Sequence, residues 1–315
     1  MPQSHISPNP RDPQTPVAPL IASFQSQRPM RAGSLLITVF GDAIAPHGGT
    51  VWLGSLIRAM APFGVNDRLV RTSIYRLAQD GWFSSHQVGR RSYYSLTELG
   101  RRRFHEASQH IYAEPRRQWS GDWCCVLLNA VAAEHRDGLR RELQWLGFAP
   151  VSPNLMAHPA PDRATLGENL QGIAGADRII VTTTRVMSDS ETVFNELVTN
   201  GWNLDELELR YQHFLQMFRP VYRWVRDDAA SDEQAFQVRI LLLHEYRKII
   251  LRDPFLPEAL LPSDWSGTAA YQLCRNLYRA VAEPSERFIT SAMETAEGPL
   301  PPAEPGFFDR FGGTK

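Results

Sequence analysis

Residues 66–96 constrain the fold more than any other stretch of the chain. Asn66 is a good helix cap and Gly81 a stop signal. On a helical wheel between them, Val70, Ile74, Leu77 and Ala78 fall on one face, and Arg68, Arg71, Thr72, Tyr75 and Arg76 occupy the opposite arc. Trp82 to Leu96 then reads as two short strands around a turn at Gly89. Upstream, Ser34 can cap a helix bearing Leu35, Leu36, Val39 and Phe40, which Pro46-His-Gly-Gly49 breaks. A second helix is expected to carry Val51, Trp52, Leu56, Ile57 and Met60, and Pro62-Phe-Gly64 turns the chain into the 66–80 helix. Thr97 caps a fourth helix. Helix, helix, helix and hairpin is the order of a winged helix-turn-helix.

That order gives the arginines a chemistry. Three guanidiniums and two hydroxyls on one side of a helix suit the DNA major groove, where Arg binds guanine edges in two places or clamps phosphates. The hairpin tip offers Gln87, Arg90 and Arg91, positioned like a wing reaching a neighbouring groove or the backbone. Arg101-Arg102-Arg103 opens the fourth helix, where the helix dipole disfavours cations, so phosphate contacts are a reason for their placement. Charge over the chain agrees. Residues 30–117 hold twelve basic and six acidic side chains, net +6, whereas 118–315 carry −8. A basic front on an acidic body points to one domain that meets a polyanion and another that does something else.

Composition shifts divide the chain into segments. Residues 1–29 hold seven prolines and read as a disordered arm. The DNA-binding domain is assigned to 30–117. From Trp119 the pattern changes: Asp122 to Val131 is a buried-strand candidate, 135–146 a helix with Leu139, Leu143 and Leu146, Leu155-Met156 a strand, 162–173 helical, and Arg178 to Thr184 a third strand. This alternation predicts a small α/β sandwich of ferredoxin-like kind over 118–188. Segments near 189–199, 203–227, 231–252 and 267–293 carry helical periodicity, an all-helical domain over 189–297, and Pro257 to Gly267 reads as an ordered loop. The proline-rich end, 298–315, reads as a flexible tail on which Phe307, Phe308 and Phe311 can dock. The fold class is therefore α+β.

Several function classes drop out. No stretch reaches the ~20 uninterrupted apolar residues of a membrane helix, and the first thirty residues lack a secretory core, so a cytoplasmic protein is expected. Cys124, Cys125 and Cys274 are too few and too badly spaced for a disulfide framework or a zinc site, and read as reduced buried thiols. There is no P-loop, no Gly-x-Ser-x-Gly elbow and no dinucleotide fingerprint; His244-Glu245 begins a zinc-protease signature but lacks its second His. No enzyme, cofactor or metal is expected. In the 231–252 helix, Arg247 falls on the face of Phe236, Ile240 and Leu243. A charge there needs an anionic partner, either an internal carboxylate such as Glu206, Glu208 or Asp253, or a ligand phosphate.

Over about residues 33–293 the sequence resembles the PaaX family, bacterial repressors of phenylacetic acid catabolism. The resemblance rests on Ser34-Leu-Leu-Ile-Thr-Val-Phe-Gly-Asp42, Val88-Gly-Arg-Arg-Ser-Tyr-Tyr94, Asp122-Trp123, His244-Glu-Tyr-Arg-Lys-Ile249, Arg252-Asp-Pro254 and Leu256-Pro257 with Leu261-Pro-Ser-Asp-Trp265. They occur in order across three domains. The resemblance implies a winged helix, a middle domain similar to small ferredoxin-like CRISPR-associated nucleases, a helical C-terminal domain and a homodimer. It also implies release from double-stranded operator DNA by phenylacetyl-coenzyme A. The wing residues Gly89, Arg90, Arg91 and Tyr93 match the family motif. With an acyl-coenzyme A effector, His244, Arg247, Lys248 and Arg252 become candidates for its phosphates, and Tyr211, Tyr246 and Trp265 for aromatic walls. Two alternatives stay open: a different aryl-coenzyme A thioester as effector, and a metal-dependent nuclease with Asp122 as metal ligand.

Overall fold

The computed structural model describes residues 15–115, 119–159, 166–167, 170–187, 190–227 and 230–313. The chain divides into two compact units. One comprises 1–114, 212–251 and 269–315, the other 115–211 and 252–268. The segment expected to bind DNA shares a unit with most of the C-terminal helices.

In the first unit, α1 (Val17–Ser26) buries Val17, Leu20 and Phe24, one face at helical spacing. Helix α2 (Ala32–Val39) runs into a π-helical turn over Phe40–Ile44, and together they bury Leu35, Leu36, Val39, Phe40 and Ile44. The next expectation needs correction. Thr50–Trp52 forms strand β1, and α3 begins only at Leu53, ending at Met60. Helix α4 (Asp67–Gln79) is capped by Asn66, whose Oδ1 accepts the Leu69 N–H at 2.9 Å. Strands β2 (Phe83–Val88) and β3 (Arg91–Leu96) pair antiparallel, Val88 opposite Arg91. The two-residue turn between them puts Gly89 first with φ 61°, the left-handed conformation that tight hairpins assign to glycine. The sheet order is β1-β3-β2, so β3 is central. Thr97 caps α5 (Glu98–Ile111), accepting the Gly100 N–H at 2.9 Å.

In the second unit, β4 (Asp122–Leu127), α6 (Ala133–Trp145), β5 (Ala149–Ser152), β6 (Leu155–His158) and β7 (Ile180–Arg185) make an antiparallel sheet of order β5-β6-β4-β7. That is the ferredoxin-like strand order, with Cys124, Val126, Leu139, Leu143, Phe148 and Met156 in its core. Strand β5 is absent from the sequence reading because Pro150 lies within it, which only an edge strand tolerates. Of the helical stretch expected at 162–173, residues 162–165 and 168–169 lie outside the described residues; 166, 167 and 170 are helical. Helix α7 (Glu191–Trp202) follows, its Trp202 Nε1 donating to the Gly147 carbonyl at 2.8 Å.

The last three helices are α8 (Leu204–Arg226), α9 (Asp232–Ile250) and α10 (Ser266–Ala292). Helix α9 starts at a Ser231/Gln234 capping box and is buried on nearly every side, the signature of a central helix. All three cysteines are buried thiols, and none forms a disulfide with another described residue.

Both ends depart from the expectation of loose segments. Residues 1–14 lie outside the described residues, but α1 follows them, and Phe24 meets the His244 ring edge-on at 5.5 Å. At the other end Phe307 and Phe311 are buried, and Arg279 Nη2 donates to the Phe311 carbonyl at 3.0 Å. A few aromatic anchors, each worth about 1.5–3 kcal/mol when fully buried, order segments whose composition reads as loose.

Candidate nucleic-acid interface and effector residues

Helix α4 separates its two faces cleanly. Val70, Ile74 and Leu77 are buried, whereas Arg68, Arg71, Thr72, Tyr75 and Arg76 are all exposed, Tyr75 by 61%. Arg71 Nε pairs with Asp67 Oδ1 at 2.5 Å one turn back, an exposed i, i+4 pair of little energetic weight that a phosphate displaces readily. The Thr72 hydroxyl donates to the Arg68 carbonyl at 2.8 Å and keeps its lone pairs outward. Among the described residues Arg68 and Arg76 have no carboxylate partner. The face is therefore rich in unspent donors.

The hairpin sorts its residues differently. Gln87 and Arg90 are exposed. Arg91 is already engaged: its Cζ lies 4.2 Å over the Trp52 ring and its Nη1 3.2 Å from Glu294 Oε2. Tyr93 is the clear correction. It is 3% exposed, opposite Trp52 on one side and His86 on the other, with its ring stacked on His86 at 5.4 Å. Because β1 makes β3 a central strand, Tyr93 supports the hairpin from beneath and does not face a ligand. Of the triplet at the head of α5, Arg101 donates to the Leu96 carbonyl at 2.9 Å and Arg103 lies 4.8 Å over Trp82.

The expected effector residues are divided between the two units. His244, Arg247 and Lys248 belong to the first unit; Tyr211, Arg252 and Trp265 belong to the second. His244 is fully buried, with Nδ1 3.3 Å from Thr38 Oγ1. Burial first, then the nearby Lys248, Arg247 and Arg31 charges, push its pKa down to about 3, so it is a neutral core histidine and not a phosphate ligand. Lys248 is held by Glu245 at 2.5 Å. Tyr211 is buried, donates to Asp253 Oδ2 at 2.5 Å and meets the Trp265 ring at 5.6 Å. Arg252 is exposed. Asp253 and Glu208 have other work, with Tyr211 and with the start of α10. Arg247 Nη2 donates to Ser34 Oγ at 3.3 Å, and no carboxylate pairs with it among the described residues.

The sequence reading missed a buried ionic network in the first unit. Asp42, in the π turn, accepts from Arg239 Nε at 2.6 Å on one oxygen. Its other oxygen accepts from Tyr112 at 2.7 Å, Tyr278 at 2.8 Å and Arg310 at 2.8 Å. Arg239 also donates to Glu286 Oε1 at 2.5 Å, and His47 Nε2 lies 2.9 Å from Glu286 Oε2. Burial alone would raise the Glu286 carboxyl; the neighbouring His47 and Arg239 outweigh it and hold it down to about 2. Burial drives the Tyr112 and Tyr278 phenols up. A signal was available: Arg239 sits between Val238 and the apolar run Ile240 to Leu243, so the rule that drew attention to Arg247 applies to it more strongly.

Three family profiles match in order along the chain: a PaaX-like protein profile over residues 31–100, the PaaX protein central Cas2-like domain over 116–193, and the PaaX-like protein C-terminal domain over 202–291. The transcriptional repressor PaaX of Escherichia coli (strain K12) is 35% identical over 288 residues, covering 90% of this chain and 91% of that one. The chain belongs to the PaaX family. Membership makes it a transcriptional repressor and not an enzyme. The PaaX central domain corresponds to the ferredoxin-like sheet of the second unit, in which Asp122, the candidate metal ligand, is taken by Arg185 at 2.5 Å and Ser120 at 2.9 Å. An uncharacterized protein of Mycobacterium tuberculosis, Rv0674, shares the fold with a TM-score of 0.52 at 20% identity, over 78% of this chain and 94% of that one. No described helix is long and apolar enough to cross a membrane.

Proposed function

We propose that this PaaX-family repressor is a homodimer that binds double-stranded operator DNA through a winged helix-turn-helix and is released by phenylacetyl-coenzyme A. The carrying observation is α4: five polar residues, three of them arginines, exposed on a helix whose other face is buried. Its N-terminus follows a short turn from α3, and the β2–β3 hairpin follows its C-terminus, the order in which winged helices present a recognition helix and a wing. In this reading Arg68, Arg71, Thr72, Tyr75 and Arg76 meet the major groove, and Gln87 and Arg90 meet the flanking backbone. Arg91 acts by fixing the hairpin on Trp52.

Release requires that the effector bind the form with low DNA affinity more tightly. A coupling of about 2–3 kcal/mol weakens operator binding roughly 30–150-fold. The test is a gel-shift titration on a duplex selected by the protein from random sequence. Phenylacetyl-coenzyme A is expected to release the DNA and free phenylacetate is not. Equal release by both contradicts the thioester assignment, and release by another aryl thioester at lower concentration reassigns the effector.

A further inference from the structure

A pocket opens in the first unit among α2 with its π turn, α5 and the last turn of α9. Ile37, Trp82, Phe104, Ala107, Ile111 and Leu243 form most of its wall, so it is largely apolar. Its free volume is about 90 Å³. At ~10–15 Å³ for each water-sized group, that is room for roughly six to nine heavy atoms, the size of one aromatic ring and a short chain. Trp82 and Phe104, edge-to-face at 5.5 Å, supply aromatic surface of the kind a ring packs against.

Arg247 is the polar group that sets the chemistry. Arg247 lines this pocket; its Nη2 donates to Ser34 Oγ at 3.3 Å, and no carboxylate pairs with it among the described residues. Burial holds its pKa down to about 10. Asp42 and Tyr112 also line the pocket, but they are committed to each other and to the ionic network. A guanidinium that lines an apolar cavity and has one long bond to a hydroxyl keeps N–H donors to offer an oxygen acceptor there.

We propose that this pocket is the acyl subsite of the effector. An aryl-acyl group enters it ring first, the carbonyl oxygen accepts a hydrogen bond from Arg247, and the coenzyme portion, far too large for the space, stays outside. This rests on the thioester reading above and places its recognition in α2, α5 and α9 of the first unit. The same location supplies a route to the DNA face. Helix α2 packs against α4 and against α9, so a ring wedged beside Ile37 and Leu243 bears on the helix that supports α4.

The test is calorimetry with phenylacetyl-coenzyme A, coenzyme A and phenylacetate on the full-length wild type and on two variants. Ala107→Phe fills the space, and Arg247→Met removes the donor while keeping the length of the side chain. Ala107→Leu replaces the first should it not fold, with cooperative thermal unfolding as the check. Thioester affinity is expected to fall at least tenfold in each variant, with Arg247→Met as thermally stable as the wild type or more so. A structural role for Arg247 would instead lower its midpoint. If wild type binds the thioester and both variants bind it as tightly, the pocket assignment is overturned and the effector reading stands. If wild type binds phenylacetate and not the thioester, and Ala107→Phe abolishes that, the effector reading fails and the pocket remains the ring's site. Binding of neither compound overturns both.

Discussion

Helices α4 and α9 both carry arginines among apolar residues and treat them in opposite ways. On α4 the arginines have an arc of their own and stay in water, with Val70, Ile74 and Leu77 packed beneath. On α9 no arc is free, and Arg239 is 0% exposed. Its charge is tolerable because Asp42, 197 residues away in sequence, and Glu286 both reach it. Arg247, two turns on, reaches no such carboxylate among the described residues. The same side chain is thus a surface donor, a structural cation or a half-buried donor without a carboxylate, according to what the rest of the fold brings to it.

The comparison can be broken at several points. The largest effect is expected at the centre of the network. Asp42→Ala strands Arg239 and Arg310, and breaking a buried pair this way costs about 3–5 kcal/mol, read as a shift in the urea midpoint. A loss below about 1 kcal/mol would mean the network does not hold α9 to the N-terminal helices.

Acid should remove the next largest increment. Glu286 is held to about 2, below the ordinary carboxylate value, so its contribution is present above about pH 4.5 and lost as pH falls toward 2. His244, held neutral with a pKa of about 3, adds a contribution present above about pH 6.5 and lost toward pH 3. At ~1.4 kcal/mol for each pKa unit, each is on the order of 3–5 kcal/mol. Urea midpoints between pH 7 and 3 should fall, and His244→Gln should flatten the upper part of that fall. A flat profile contradicts the assignment.

On α4 the effect should move from stability to binding. Arg76→Ala is expected to weaken DNA binding by about 1–3 kcal/mol and relax preference at one base position, with stability changed by under ~0.5 kcal/mol. The smallest effect, and the one of opposite sign, is on α9: Arg247→Met should leave stability level or raise it by up to about 1 kcal/mol, since a half-buried charge without a carboxylate gives way to an apolar chain.

How far the sequence reaches follows from range. Helix α4, the hairpin and three of the four ferredoxin-like strands were legible because their determinants are local: the Asn66 cap, one apolar stripe, glycine at the turn and alternating strand and helix segments. Tyr93 was misread because its burial depends on β1, three residues that look helical beside Leu56 and Ile57. The arm and tail were misread because their order comes from a few anchors, Leu20 and Phe24 in one, Phe307 and Phe311 in the other, whose partners lie far along the chain. The Asp42 network was invisible for the same reason, and with it the difference between Arg239 and Arg247.

The most direct measurement of the central claim is the affinity of the Arg68→Ala/Arg76→Ala double variant for a duplex selected by the wild type, followed as a function of salt and alongside its urea stability. The account predicts binding weakened tenfold or more, a shallower salt dependence as counterion-releasing contacts are lost, and an unchanged unfolding midpoint. Wild-type affinity with an unchanged salt slope would show that the exposed arginine face of α4 does not hold DNA.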